Sequence, residues 1–201
     1  EVPGGWNDTG KRLNAVGMAE YLAQAEANRI RIEAETAEAE KRAAAAYEIE
    51  RARLINEYPY LIRVTGDWKA DKLTPTKNLR KLLAMKFPGV KFSVRSTDRG
   101  TIYISWTDGP RAEAVKAIGG MFQGLSFDGM QDLESCVSSP FTDLFGRAGY
   151  VIETRHVSEE YHRAAAAYFG RGYDPNWNYG YEMQHHIREK MNELATPEQF
   201  R

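Results

Sequence analysis

The sequence has one cysteine, Cys136, among 201 residues. A single thiol excludes an internal disulfide framework and a cysteine-based zinc cluster. A reducing setting, the cytoplasm, is therefore expected. No stretch of about 18 apolar residues occurs, so no membrane-spanning helix is expected. The amino terminus lacks the basic start and apolar stretch of a signal peptide. It also lacks methionine, and reads as processed or cut from something longer. Neither the phosphate-cradling Gly-x-x-x-x-Gly-Lys pattern nor the Gly-x-Gly-x-x-Gly fingerprint is present, and His-Glu-x-x-His is absent too.

Strong net charge is also missing: 27 basic residues face 28 acidic ones, a net of -1. That balance hides a segmented chain. Residues 1–60 carry 8 basic and 11 acidic side chains, residues 61–111 carry 11 and 4, and residues 112–201 carry 8 and 13. Fields are screened within about 10 Å at moderate salt, so the local balance matters. A basic middle between acidic flanks draws phosphate or an acidic protein face if it is left open. Internal ion pairing of a solvated surface is the alternative reading.

What is abundant is helix former. From about Lys11 to Glu57 there is no proline, and Gly17 is the only glycine. Alanine, glutamate and arginine dominate, which favours helix. Ala15, Met18, Leu22 and Ala25 follow three- and four-residue spacings, as a packing seam does, with Ile32 and Ala39 in register. Arg29 and Thr36 interrupt it. Glu38–Arg42 and Glu50–Arg53 stand at ion-pair spacing. Residues 1–58 are read as a helical arm, with self-association into a homodimer as one use and a solvated spacer as the other.

Residues 59–201 read as a compact α+β domain with a small antiparallel sheet packed by helices. Tyr60–Thr65 is β-prone. Thr74-Pro75 reads as an N-cap followed by proline at the first helical position. Leu79, Leu82, Leu83 and Phe87 then share a helical face. Val90, Phe92 and Val94, then Ile102, Ile104 and Trp106, alternate with polar residues about the turn Thr97–Gly100, which predicts a hairpin. Asp108-Gly109-Pro110 opens a helix with Val115, Ile118 and Phe122 on its apolar stripe. Residues 123–148 read as loop-dominated. Tyr150–Arg155 reads as a strand, Ser158 caps a helix to about Phe169, and a last helix runs from Tyr179 to Leu194.

The run Phe87-Pro88-Gly89-Val90-Lys91-Phe92-Ser93-Val94-Arg95, followed by Trp106-Thr107-Asp108-Gly109-Pro110 and Phe127-Asp128-Gly129-Met130, resembles a large polyvalent protein-associated domain, the twenty-ninth of that numbered series. The resemblance covers roughly residues 75–165. It implies an α+β domain of phage and conjugative-element proteins, which often enter the host with DNA and are connected with countering host defences. No catalytic residues are carried over. Trp106, Asp108, Gly109, Pro110, Asp128 and Gly129 are the motif residues, and a structural role fits them: Trp106 on the core side, Asp108 as cap of the next helix, Gly109 for the turn.

Chemistry is weakly signalled. Asp108, Asp128 and Asp132 do not specify a hard-cation site. His185 and His186 are neighbours and diverge on a helix, while His156 and His162 bracket a helix start. Cys136 has no local nucleophile signature. No cofactor, metal or catalytic residue is therefore expected. Lys77, Arg80, Lys81, Lys91, Arg95 and Tyr103 form a candidate contact set for nucleic acid or an acidic partner. Arg171, Tyr173, Trp177, Tyr179 and Tyr181, in an aromatic loop, form a candidate protein-contact set; closing a core is their other reading. The expected protein is a non-enzymatic phage or mobile-element accessory factor, in the host cytoplasm if phage-encoded. It would bind and block a host protein or complex, in the manner of an anti-restriction or anti-CRISPR factor. A nucleic-acid-binding module is the alternative.

Overall fold

The computed structural model describes residues 15–98, 100–130, 132–196 and 199. The irregular start expected over residues 1–10, the helix start near Lys11, the turn residue Arg99 and Gln131, which follows the Phe-Asp-Gly-Met segment, lie outside them. The chain divides into two compact units, Glu1–Ala52 and Arg53–Arg201.

The first element, α1, is a helix over Ala15–Glu57. Its 43 residues correspond to about 65 Å at 1.5 Å per residue. Leu54 is its one buried residue, while Val16, Leu22, Ile30, Ile32 and Ile49 are exposed. Ion pairs along its surface replace packing: Arg29 with Glu26 and Glu33, and Arg42 with Glu38. Arg53 pairs with Glu57. Such exposed pairs contribute a few tenths of a kcal/mol each.

The second unit continues with α2 (Trp68–Asp71), α3 (Thr74–Lys86), strands β1 (Ser93–Ser96) and β2 (Ile102–Thr107), and α4 (Ala112–Gly120). Then come β3 (Leu125–Asp128), β4 (Leu133–Cys136), α5 (Pro140–Phe145), β5 (Val151–His156), α6 (Glu159–Tyr168) and α7 (Tyr181–Glu193). The main sheet has the order β1-β2-β5. The β1–β2 hairpin is antiparallel, with Arg95 opposite Tyr103, but β5 runs parallel to β2, with Tyr103 opposite Ile152 and Thr107 opposite His156. The expected antiparallel sheet is thus a mixed one. The connection from β2 back to β5 passes through α4, and a crossover of that length delivers a parallel neighbour.

Alternation along the strands places one face in the core. Val94, Ile102, Ile104, Trp106 and Val151 are buried, together with Leu79, Leu82 and Leu83 of α3, Val115 of α4 and Phe122 just beyond it. Phe141, Leu144 and Phe145 of α5 close the same cluster. A second, smaller cluster joins Tyr161 and Ala165 of α6 to Ile187 and Met191 of α7.

Four local expectations differ from the structure. Tyr60–Thr65 is not a strand. Its backbone groups are taken by other partners: the Ile62 amide donates to Asn78 Oδ1 at 2.8 Å, the Val64 amide to the Leu144 carbonyl at 2.9 Å, and the Thr65 amide to Asp71 Oδ2 at 2.8 Å. Thr74 is the first residue of α3 rather than its cap; the cap position is Leu73, which makes no side-chain cap bond. Residues 123–148 are not loop-dominated but hold β3, β4 and α5. Asp108 does not cap α4, whose cap position is Arg111. It sits at φ 55 and accepts from the Ser158 amide, 50 positions away, at 2.8 Å.

Candidate functional site

The face of the main sheet opposite the core carries Ser93 and Arg95 of β1, Tyr103, Ser105 and Thr107 of β2, and Ile152, Thr154 and His156 of β5. Period-two alternation dictates that membership once the register is known. Arg95, Thr107, Thr154 and His156 are exposed, and Ser93 and Ser105 half-buried. Tyr103 and Ile152 are exposed at 47% and 42%, high enough that no described element covers them. None of the eight is a carboxylate. At one end the face runs into an open cleft of about 660 Å³, lined by residues including Lys91, Ser93, Ser105, Thr107 and His156.

The motif segment builds the wall of this cleft. Trp106 is buried, and its Nε1 donates to the Pro110 carbonyl at 3.0 Å, closing the turn. Gly109 stands at φ 64, where a Cβ would press on Val90 at 3.2 Å. The Asp108 amide donates to the His156 carbonyl at 2.8 Å. Its carboxylate and amide together lock the ends of β2 and β5 side by side.

The six residues of the basic set divide. Lys91, Arg95 and Tyr103 come together on the open face and its cleft. Arg80 instead reaches the Val94 carbonyl on β1. Lys81 donates to the Tyr60 carbonyl at 2.7 Å. Lys77 and Lys81 are exposed on α3, and α3 packs its leucines against the buried face of the sheet. Those two cations therefore belong to the helical layer. Ile152, Thr154 and His156 were not in the sequence-derived set. The signal for them was a strand after a helical crossover, which implies parallel pairing.

The aromatic loop folds mostly inward. His162 of α6 is buried and stacks on Trp177 at 3.8 Å between ring centroids and 13° between planes. Tyr173 and Tyr179 meet it edge-on at 5.0 and 5.6 Å. The Tyr179 hydroxyl accepts from the Asp174 amide at 2.6 Å. Burial pushes the His162 imidazole below its ordinary pKa, partly offset by the Asp174 carboxylate. Its Nε2 has no hydrogen-bond partner among the described residues. Arg171 and Tyr181 remain exposed. Three of the five loop residues thus pack within the second cluster or around His162.

A further surface appears where the sequence showed loop. The β3–β4 hairpin exposes Phe127, Met130 and Leu133, followed by Val137; Met130 is 97% exposed, so its side chain supports nothing inside the fold. Asp128 Oδ1 accepts from the Met130 amide at 2.9 Å, fixing the turn. The hairpin is tied down by the Tyr150 hydroxyl, which donates to Glu134 at 2.7 Å, and by the Val137 amide, which donates to the Gly124 carbonyl at 2.9 Å. The bond to Glu134 holds the Tyr150 phenol above its usual pKa. A two-stranded hairpin with both faces wet is marginal on its own.

No group of three or more His, Cys, Asp or Glu side chains with metal-holding geometry occurs among the described residues. Nor is any helix there long and apolar enough to cross a membrane. The fold defines a small α+β module with an uncovered sheet face and an exposed hairpin. Residues 72–162 match the model of large polyvalent protein associated domain 29, a domain typical of phage and mobile-element polyvalent proteins. No curated protein and no solved structure matches the chain.

Proposed function

We propose that the chain is a non-enzymatic accessory protein of a phage or mobile element that binds and blocks a host protein, acting as an anti-defence factor. The β3–β4 hairpin carries this reading. Within the family domain, the Phe-Asp-Gly-Met segment spends its two large apolar side chains on solvent instead of core. Large apolar side chains left to solvent gain free energy when a partner protein buries them. The phage and mobile-element setting of the domain supplies the host as the source of the partner. Arg171 and Tyr181 are additional exposed contact candidates, whereas Tyr173, Trp177 and Tyr179 serve the interior.

The test is a plating assay. A phage restricted by a host defence system is plated on cells expressing the chain, and on cells expressing Met130→Glu or Phe127→Ser. Rescue of plating by the wild type and its loss in both variants, at unchanged urea midpoint, is the expected result. Wild type without effect against a panel of restriction and CRISPR systems would overturn the anti-defence reading.

A further inference from the structure

We propose that the open face of the β1-β2-β5 sheet, with its cleft, is a binding surface for single-stranded nucleic acid. This surface is separate from the hairpin assigned above to a host protein, so each can fail without the other.

The argument starts from composition. Arg95 and His156 stand among four Ser and Thr hydroxyls on a sheet face without a carboxylate of its own, and Lys91 lines the adjoining cleft together with Asp108. A face assembled from a chain with 28 acidic residues, yet holding none, is complementary to a polyanion. Among the eight residues of the face the phenol ring is Tyr103, opposite Arg95 on one side and Ile152 on the other. A ring lying on an open sheet between a guanidinium and an aliphatic side chain is a stacking platform for a base. Ser93, Ser105, Thr107 and Thr154 offer donors and acceptors that suit sugars, phosphates and base edges without selecting a sequence.

The cleft extends the track. Its 660 Å³ falls within the roughly 300–1,000 Å³ of small-molecule sites, enough for one nucleotide unit. Lys91, His156 and Asp108 line it, and the Asp108 carboxylate is engaged by the Ser158 amide. A strand crossing the face would place a base on Tyr103, with phosphates toward Arg95 and Lys91. Duplex is disfavoured because, among the described residues, no helix lies on this face to enter a groove.

Fluorescence anisotropy with a short labelled oligothymidylate, alone and annealed to oligodeoxyadenylate, tests the proposal. The single strand should bind, with log affinity falling linearly in log salt between about 50 and 200 mM. Tyr103→Ala should weaken it roughly 5- to 150-fold, the range of one lost stacking contact. Lys91→Glu with Arg95→Glu should weaken it further and flatten the salt slope. Lys77→Glu, on the helical layer, should change affinity less than about twofold, since a lone distant charge is screened. All of these residues are exposed, so the variants should keep the wild-type denaturation midpoint. Absence of binding at low salt would overturn the proposal. So would duplex binding as tight as single strand, or a Lys77→Glu loss equal to that of Arg95→Glu.

Discussion

Asn78 is the most consequential single polar side chain in the domain, and replacing it tests how the chain enters the fold. It is fully buried on α3. Its Oδ1 accepts from the Ile62 amide at 2.8 Å, and its Nδ2 donates to the Ile62 carbonyl at 2.7 Å and the Phe145 carbonyl at 2.8 Å. One amide thus stands in for the strand partner that residues 60–65 do not have. Asn78→Leu keeps the volume and removes all three bonds. The Phe145 carbonyl is then buried without a partner, at about 1–3 kcal/mol, while the two half-buried Ile62 groups re-solvate at smaller cost. The expected loss is about 2–4 kcal/mol, read as a lower urea midpoint at unchanged slope. Asn78→Asp adds a sign. Its carboxylate faces two carbonyl oxygens, so its folded pKa must lie above the unfolded value of about 3.9. Stability of that variant is then greatest below the unfolded pKa and is lost as pH rises through the folded one. A cost below about 1 kcal/mol for Asn78→Leu, or wild-type stability of Asn78→Asp at neutral pH, would refute the reasoning.

Two further perturbations address the carboxy-terminal cluster. Arg155→Met should cost about 2–4 kcal/mol, since it removes bonds to the Met191 and Leu194 carbonyls at 2.7 and 3.0 Å and to the Tyr161 hydroxyl at 3.0 Å. Hydrogen exchange should show α7 amides losing protection before those of β2. His162 gives a pH dependence: because burial depresses its pKa in the fold, the stability it contributes is full above the unfolded value of about 6.5 and declines as pH falls toward the folded one. Urea midpoints measured across that window should fall toward acid for wild type, and the slope should flatten in His162→Phe.

Legibility in the sequence followed the range of the forces involved. Period-two alternation in Ile102, Ile104 and Trp106 and helical spacing in Leu79, Leu82 and Leu83 are local, and both read true. The Ser158 cap was also legible, because its side chain accepts from the Tyr161 amide only three residues on. Asp108 was misread because its partner lies 50 residues away, beyond any capping pattern. Tyr60–Thr65 was misread because β propensity reports what fits a pleated surface, and here no strand was available to complete one. Missing the parallel placement of β5 hid three of the eight residues of the open face. Arg95 and Tyr103 were visible from the hairpin alone, whereas Ile152, Thr154 and His156 join them only through the crossover. The aromatic loop looked like a contact surface because tyrosine and tryptophan serve both interfaces and cores; His162, 15 residues before Trp177, decides between them by stacking.

The folding unit extends past the family match. That match ends at residue 162, yet Arg155 and Tyr161, both inside it, reach polar partners outside it. Among the described residues the Arg155 guanidinium has no carboxylate partner. It lies over the Tyr161 ring at 5.1 Å and donates to carbonyls at the end of α7 and to the Gly109 carbonyl at 3.2 Å. A helix carboxy terminus carries partial negative charge, so these carbonyls solvate the cation in place of water. Tyr161 adds its hydroxyl to the Leu194 carbonyl. A fragment ending at residue 162 would leave a half-buried guanidinium and a fully buried tyrosine facing solvent where α7 had been. Gly109 belongs to the turn that walls the cleft, so the same cation couples α7 to the open face. Residues 163–194 are therefore part of the structure that holds the proposed nucleic-acid surface in shape, although they lie outside the family pattern.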